Sequence, residues 1–172
     1  MVRLIDDMLD VSRISSGKLS IRRVAVDLVG LVRRVADDLG ACAAATGSVL
    51  EVLAFEPIDG NWDVFRVEQI VVNLISNALR YGQGQPVEIS LARTQNSAII
   101  EVRDHGIGIS ARDQERIFDA FERVMHQDHT GGLGLGLFIT KQLVDAHGGA
   151  ITVQSAPGNG ALFSVTLPLS GS

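Results

Sequence analysis

One stretch of this sequence decides its fold: Val67-Glu-Gln-Ile-Val-Val-Asn-Leu-Ile-Ser-Asn-Ala-Leu-Arg-Tyr81. Apolar residues recur at helical spacing, which predicts one helix with a buried stripe of Val67, Ile70, Val71, Leu74, Ile75 and Ala78. The polar residues fall together on the opposite side: Arg66, Gln69, Asn73, Asn77 and Arg80. Asn is a mediocre helix former, so two asparagines one turn apart suggest short amides that bind a hydrated metal or a phosphate oxygen. The alternative is a half-buried pair satisfied by backbone groups, and the helix alone leaves both interpretations open.

Composition restricts the class of protein. The 172 residues suffice for one domain with a real core, and 46% hydrophobic with 20% charged residues is typical of a globular chain. The net charge of -5 implies no general nucleic-acid surface. Cys42 is the only cysteine, which excludes an internal disulfide and a cysteine-rich zinc site and fits a reducing compartment. No apolar run approaches membrane-spanning length, so we expect a cytoplasmic domain.

The first residues form a leader that is distinct from the body. Apolar residues at helical spacing, about two heptads in all, predict a helix over residues 1–14 that Ser15-Ser-Gly17 breaks. We expect the end of a longer helix whose partner lies outside this chain. The alternative is an ordinary amphipathic helix packed back on the body. The predicted domains are therefore residues 1–17 and 18–172.

The body alternates strands and helices. Strands are predicted at residues 24–26, 49–55, 87–91, 98–102, 151–154 and 162–167, and helices at 27–39, 67–81, 110 onward and 135–147. Two of the strand pairs are joined by short turns, which indicates antiparallel pairing. The predicted fold class is α+β: a two-layer α/β sandwich with a mixed, mostly antiparallel sheet and about three helices on one face.

Three glycine-rich junctions are candidates for chemistry. The first, Asp104-His-Gly-Ile-Gly-Ile109, follows an apolar strand. Its glycines would let the backbone approach a flat ligand, and the Asp104 carboxylate could accept a hydrogen bond from the exocyclic amine of adenine. The alternative is a plain strand-to-helix turn, for which Asp and Gly are also well suited.

The second junction, Gly131-Gly-Leu-Gly-Leu-Gly-Leu137, runs into a helix. Backbone N–H groups at a helix N-terminus in such a loop form a phosphate site. The pattern does not fit a dinucleotide fingerprint, because Leu137 and Ile139 stand where the third glycine belongs, and it lacks the Gly-Lys-Ser/Thr of a P-loop. The alternative is a flexible glycine stretch, which the interleaved leucines argue against.

Two further features are less specific. Gly158-Asn-Gly160 reads most simply as a hairpin turn, and no chemistry is assigned to it. Phe118 and Phe121, three residues apart, are expected in the core or, because a polar segment follows them, as the anchor of a lid over the ligand.

Taken together, these motifs resemble the catalytic, ATP-binding domain of bacterial sensor histidine kinases, within the gyrase, Hsp90, histidine kinase and MutL superfamily that shares the Bergerat fold. The stretch 73–81 resembles the N box, 104–108 the G1 box, 118–121 the F box and 132–136 the G2 box. Gly158-Asn-Gly160 with Phe163 resembles the closing glycine motif. The resemblance covers about residues 24–168, and several motifs in the family's order are more specific than any one alone.

The resemblance implies roles for individual residues. Asn77 would coordinate Mg²⁺, with Asn73 assisting, Arg80 would contact phosphate, Tyr81 would pack near the base or ribose, and Asp104 would read the adenine amine. The G2 loop would hold the triphosphate under a lid over about residues 122–132, in which Arg123 is a candidate phosphate contact. The implied catalytic residues are Asn73, Asn77 and Arg80, and the other implied ATP-binding residues are Tyr81, Asp104, Gly106, Ile107, Gly108, Ile109, Phe121, Arg123, Gly132, Leu133, Gly134, Leu135, Gly136 and Leu137.

The leader resembles the end of the second helix of the family's dimerisation and phosphoacceptor domain, but the acceptor histidine box is nowhere in this sequence. His105 and His147 are interpreted as structural or incidental, and His126 and His129 as solvated lid residues. The implied function is transfer of the γ-phosphoryl group of Mg-ATP to a histidine of a separate acceptor domain, with a response regulator as partner in the full system. The full-length protein would be a homodimer, could be membrane-anchored, and this chain alone is compatible with a monomer.

Other function classes remain open at this point. Gyrase-, Hsp90- and MutL-type ATPases carry a glutamate base one turn before the metal asparagine, where this sequence has Asn73, and an amide cannot take a proton. A non-catalytic nucleotide-binding module, or a scaffold that has lost nucleotide binding, is another alternative. A serine-directed anti-sigma kinase is a closer variant that the kinase-like leader disfavours.

Overall fold

The computed structural model describes residues 2–122 and 134–170, with side chains from residue 5 onward. The elements, in chain order, are α1 Val2–Ser15, β1 Val24–Asp27, α2 Leu28–Asp38, α3 Gly40–Ala45, β2 Leu50–Leu53, β3 Asp59–Trp62, α4 Val64–Tyr81, β4 Val87–Arg93, β5 Ser97–Asp104, α5 Ala111–Gln114, α6 Gly136–Ala146, β6 Ala150–Ser155 and β7 Ala161–Pro168. None of the helices in the described ranges is long and apolar enough to cross a membrane.

The main sheet has five strands in the order β2-β4-β5-β7-β6. β2 and β4 run parallel, and all other neighbours are antiparallel, so the predicted mixed, mostly antiparallel sheet is confirmed. Buried and less buried residues alternate along β4 and β7, which turns one face of the sheet toward the core. On the other face, Ser90 and Ser164 donate hydrogen bonds to the Glu101 carboxylate.

Helix α4 is the centre of the helical layer. It packs against α2 on one side and α6 on the other, and it lies over the sheet. All six residues of the predicted apolar stripe are at most 3% exposed, which confirms the buried face. The helix begins three residues earlier than predicted because Asp63 is its N-cap, with a side chain that accepts a hydrogen bond from the Arg66 amide.

Two elements were not predicted. β3 pairs with β1 in a separate two-stranded antiparallel sheet, although Asp59-Gly-Asn-Trp62 has almost no strand-forming residues. Its position is fixed by tertiary contacts instead: Trp62 is fully buried, and its indole N–H donates to the Pro168 carbonyl at 2.7 Å. The alanine-rich helix α3 was also missed, since its six residues carry no hydrophobic periodicity.

The leader helix α1 packs on the body. The Asp10 side chain accepts hydrogen bonds from Arg66 at 2.8 Å and from Gln69 at 2.7 Å, both in the first turns of α4. The opposite part of α1 exposes an apolar stripe of Ile5, Met8 and Leu9. The alternative interpretation, an amphipathic helix packed back on the body, is therefore confirmed for the Asp10 side of α1, and the end of a longer helix stays a prediction. The domain boundary at residue 17 stays a prediction.

Candidate functional site

Asp104 ends β5 as a buried acid. The residue is only 5% exposed, and its Oδ1 accepts a hydrogen bond from the Gly106 amide at 3.0 Å. Burial raises the pKa of this carboxyl above the ordinary 3.8, although backbone N–H groups of Gly106 and Ala161 act in the opposite direction. The backbone N–H groups therefore stabilise the charged carboxylate only in part, and a ligand that donates a hydrogen bond to it would stabilise it further.

The loop after Asp104 lies directly against the C-terminal end of α4. The Ile107 amide donates to the Tyr81 carbonyl at 3.2 Å, and a Cβ atom added to Gly106 would lie 1.8 Å from that same oxygen. Since no side chain fits there, glycine at 106 is required by the approach of two backbone segments. The same loop thus connects the end of the polar helix with the buried acid.

The third glycine junction is more than a hairpin turn. The Gly158 amide donates to the Ile107 carbonyl at 2.7 Å, and the Gly160 amide donates to the Gly106 carbonyl at 3.0 Å. Gly160 has a φ of +67, and a Cβ there would lie 2.0 Å from the Asp104 carbonyl oxygen. The sequence assigned no chemistry to this turn, and the repeated Gly-X-Gly pattern was the available signal.

Asn73 is buried, although it belongs to the polar side of the predicted helix. It is 6% exposed, and its Nδ2 donates to the Gly136 carbonyl and to the Thr140 hydroxyl, both at 3.2 Å. The physical reason is the packing of α6 across the middle of α4. The predicted alternative, a half-buried amide satisfied by backbone groups, therefore describes part of its environment.

The N-terminus of α6 is placed beside this asparagine. Gly134 has a φ of +72, and Leu135, the N-cap residue, makes no side-chain capping hydrogen bond. Gly136 approaches closely enough that a Cβ atom there would lie 3.9 Å from Asn73 Cγ. The first amides of α6 consequently have no side-chain acceptor at the cap, an arrangement that suits an anion.

The remaining predicted site residues differ in exposure. Asn77 is half-buried one turn after Asn73, and its side chain makes no hydrogen bond within the described part of the chain. Arg80 and Tyr81 are exposed, whereas Ile107, Gly108, Ile109 and Leu137 are half-buried. Across residues 2–122 and 134–170, no group of three or more His, Cys, Asp and Glu side chains could hold a metal.

The two phenylalanines have different environments, so the core interpretation fits Phe118 and does not fit Phe121, and the lid interpretation stays a prediction. Phe118 is half-buried and packs edge to face on Phe163, with ring centroids 6.4 Å apart. Phe121 is 63% exposed and has a φ of +65. The other predicted lid residues, Arg123, His126, His129, Gly132 and Leu133, lie outside the described residues.

His147 has a structural position. It is buried, its Nδ1 lies 2.7 Å from the Leu143 carbonyl, and its Nε2 accepts a hydrogen bond from the Asp63 amide at 3.1 Å. Burial lowers the pKa of the imidazole below the ordinary 6.5, which keeps it neutral. His105 is exposed beside Glu88, at 3.1 Å.

A family model described as "Histidine kinase-, DNA gyrase B-, and HSP90-like ATPase" matches residues 62–171, the part of the chain that contains all three glycine junctions and α4. The chain belongs to this family. Its similar curated relatives include the sensor histidine kinase MtrB of Mycobacterium leprae, which is 34% identical over 96% of this chain and 30% of its own length. The circadian input-output histidine kinase CikA of Synechococcus elongatus is 35% identical over 98% of the chain and 23% of its length.

Solved structures agree with this assignment to the ATPase family. Full-length ShkA in complex with AMPPNP matches with a TM-score of 0.85 and 28% identity, over 99% of this chain and 36% of that one. The mycobacterial sensor histidine kinase MprB matches with a TM-score of 0.76 and 26% identity, over 88% of this chain and 100% of that one. The chain therefore has the ATP-binding domain fold of sensor histidine kinases, and it spans less than a third of the length of the curated relatives named above.

Proposed function

We propose that this domain binds Mg-ATP and donates the γ-phosphoryl group to a histidine of a separate phosphoacceptor domain in a two-component system. The observation that carries the proposal is that two motif segments meet on α4, the helix that carries the third. The Asp104 loop contacts the end of α4 at Tyr81, and the start of α6 contacts the middle of α4 at Asn73. Asn77 lies on the same helix between these two contacts.

Each segment has a chemistry that suits part of the nucleotide. The buried Asp104 carboxylate accepts a hydrogen bond from the adenine amine, and the glycines beside it allow the flat base to approach the backbone. The uncapped amides at the start of α6 bind phosphate oxygens. Arg80 and Tyr81, both exposed at the end of α4, contact phosphate and the base or ribose respectively.

The residues present also fit a magnesium ion. Mg²⁺ is usually held by one or two protein oxygens together with substrate phosphates and water, so the half-buried Asn77 amide is a sufficient protein ligand, with Asn73 assisting by positioning α4. When bound, the ion neutralises charge on the transferred phosphoryl group. The protein's own part is to bind and orient the triphosphate, since phosphoryl transfer leaves it little covalent work.

Calorimetry with Mg-ATP tests the nucleotide site. The unaltered chain should bind, whereas Asn77→Ala should lose mainly the magnesium-dependent part of the affinity and Asp104→Ala the adenine-dependent part. A Glu56→Gln variant, altered at an exposed loop position, is the matched control and should bind normally. Unchanged affinity in both site variants would contradict the proposed site.

Mixing the chain with a separately made acceptor domain tests the phosphotransfer. Radiolabelled ATP should leave acid-labile phosphate on the acceptor and none on this polypeptide by itself, because its sequence contains no acceptor box. Label on this chain alone would overturn the second expectation. Binding without transfer would instead favour a non-catalytic nucleotide-binding module.

A water-directed ATPase is the principal alternative within the family. Its base would stand at position 73, where this chain has an amide that donates to the Gly136 carbonyl. We therefore expect slow phosphate release in the absence of an acceptor. Fast steady release of phosphate by the chain alone would favour the ATPase over the kinase.

A further inference from the structure

Thr140 is a polar residue inside an apolar environment. It lies one turn into α6, is fully buried, and has the apolar residues Ile139, Leu143 and Val144 as buried neighbours on the same helix. Its Oγ1 donates to the Gly136 carbonyl at 2.7 Å and accepts a hydrogen bond from Asn73 Nδ2 at 3.2 Å. A buried hydroxyl is favourable only when it is hydrogen-bonded, so its partners define what it does.

We propose that Thr140 is a positioning residue for the phosphoryl-transfer site: its hydroxyl and the Gly136 carbonyl together fix the side-chain amide of Asn73. This inference rests on the proposed function, since Asn73 belongs to the proposed nucleotide site. It adds a residue that lies outside the glycine motifs and acts through Asn73.

The geometry couples two parts of the site. Asn73 belongs to the helix that carries Asn77, and Gly136 is the first residue of α6, where the phosphate-binding amides begin. One hydroxyl and one carbonyl accept both hydrogen bonds from the Asn73 amide nitrogen. Any rotation of that amide or shift of α6 along α4 breaks at least one of them, so the contact sets the spacing between metal ligand and phosphate loop.

The same contact selects an amide over a carboxylate at position 73. The Gly136 carbonyl can only accept, and the Thr140 proton is already directed to that carbonyl. A carboxylate would place an acceptor opposite two acceptors, which is unfavourable in a buried site. The α6 contacts thus give a structural reason why this domain carries no acid where a hydrolase has its base.

Thr140→Val tests the proposal, because valine keeps the shape and removes the hydroxyl. The rate of transfer from ATP to a separately made acceptor domain should fall about tenfold with KM nearly unchanged, the scale of one neutral hydrogen bond lost in the transition state. Thr140→Ser, which keeps the hydroxyl, should restore the rate. Thr46→Val is the matched control, since the Thr46 hydroxyl also donates to a backbone carbonyl, that of Ala43 in α3, and within the described residues has no hydrogen bond to Asn73 or Gly136.

Two readouts separate positioning from general stability. In an Asn73→Ala background, adding Thr140→Val should not lower the phosphotransfer rate further, because the amide that Thr140 positions is absent. An equal fall in rate in both backgrounds would overturn the proposal. In the unaltered chain, NMR should show the Asn73 side-chain amide protons exchanging slowly with water, and rapid exchange would overturn it even if Thr140→Val does not fold. A chain that transfers no phosphate at all would contradict the proposed function, while the amide signal would still decide the positioning.

Discussion

At the scale of single residues, the environment of Asp104 matters more than its place in a motif. Its carboxyl is buried, and burial raises its pKa above the ordinary 3.8, because the charged form is less well solvated inside the fold. Because the pKa of Asp104 is raised in the folded state, protonation of this carboxyl favours the folded chain, and the contribution is fully present below the ordinary pKa of 3.8. It is lost as pH rises through the raised value.

Asp104→Asn should therefore have opposite effects on stability and binding. Without nucleotide, the variant should have a higher unfolding temperature at pH 7 than the unaltered chain, because the asparagine oxygen can still accept from Gly106 and carries no buried charge. Its affinity for ATP should fall roughly ten- to a hundredfold, as expected for a hydrogen bond that loses its charged acceptor. Differential scanning calorimetry and titration calorimetry on the same samples measure both.

The pH dependence of binding provides the check on this interpretation. In the unaltered chain, ATP affinity should weaken as pH falls from 7 through the raised pKa of Asp104, since the protonated acid cannot accept from the adenine amine. Asp104→Asn should lack that dependence. An identical pH profile in both proteins would contradict the assignment of Asp104 as the adenine reader.

At the scale of elements, α1 is held by a partly buried ion pair. The side chains of Arg66 and Asp10 are 16% and 7% exposed, and their closest atoms lie 2.8 Å apart. Asp10→Ala leaves Arg66 without its carboxylate and should cost about 1–3 kcal/mol. Hydrogen exchange should become faster in α1 and stay slow in β4 and β5. Asp6→Asn, a change at an exposed position of the same helix, should alter neither.

The contact between the Asp104 loop and the Gly158–Gly160 turn joins two distant segments. Gly160→Ala should lower both stability, by at least ~2 kcal/mol, and ATP affinity, because the new methyl group overlaps the Asp104 carbonyl. Gly47→Ala is the matched control: its φ is also positive, at +75, but nothing lies within 4 Å of the added Cβ. Gly47→Ala should lower the free energy of unfolding by roughly 1 kcal/mol, the cost of placing alanine in a left-handed backbone conformation, and it should bind ATP normally. Equal effects in both variants would mean that the clash at 160 is relieved.

At the scale of the whole molecule, His147 connects three parts of the chain. It accepts from Asp63 at the start of α4, its backbone carbonyl accepts from Arg23 before β1, and its ring contacts Leu143 in α6. Burial is the main reason for its lowered pKa, Arg23 adds to it, and Asp63 acts in the opposite direction. A base with a lowered folded pKa stabilises fully above its ordinary 6.5, and this contribution is lost as pH falls below that value.

The unfolding temperature should consequently fall between pH 7 and pH 5, and His147→Gln should flatten that fall because glutamine keeps an acceptor and cannot be protonated. The raised pKa of Asp104 affects stability in the opposite direction, so the comparison is made between variants at each pH. His105→Gln, at an exposed histidine, should keep the slope of the unaltered chain. A slope unchanged by His147→Gln would assign the acid sensitivity to other groups.

The sequence predicted the elements whose signals are local. The stripe of α4, the helix starts predicted at residues 27 and 110, and both hairpins are confirmed, and Asp27 and Ser110 are the N-caps of α2 and α5. Periodicity, caps and turns depend on neighbouring residues. β3 was missed because its pairing with β1 and the burial of Trp62 depend on residues far away in the chain. The burial of Asn73 and the separation of Phe118 from Phe121 have the same cause.

The sequence by itself determined the fold class, because the spacing of apolar residues and turn residues predicts the order of helices and strands. Its motifs also carried the resemblance to the family, which the family model bears out. The tertiary structure alone decided how the motifs act on one another. It placed the Gly158–Gly160 turn on the Asp104 loop, and it directed the Asn73 amide to Gly136 and Thr140. The physical reason is that a hydrogen bond between residues 67 positions apart, as between Asn73 and Thr140, depends on how two helices pack, and local sequence carries no record of that packing.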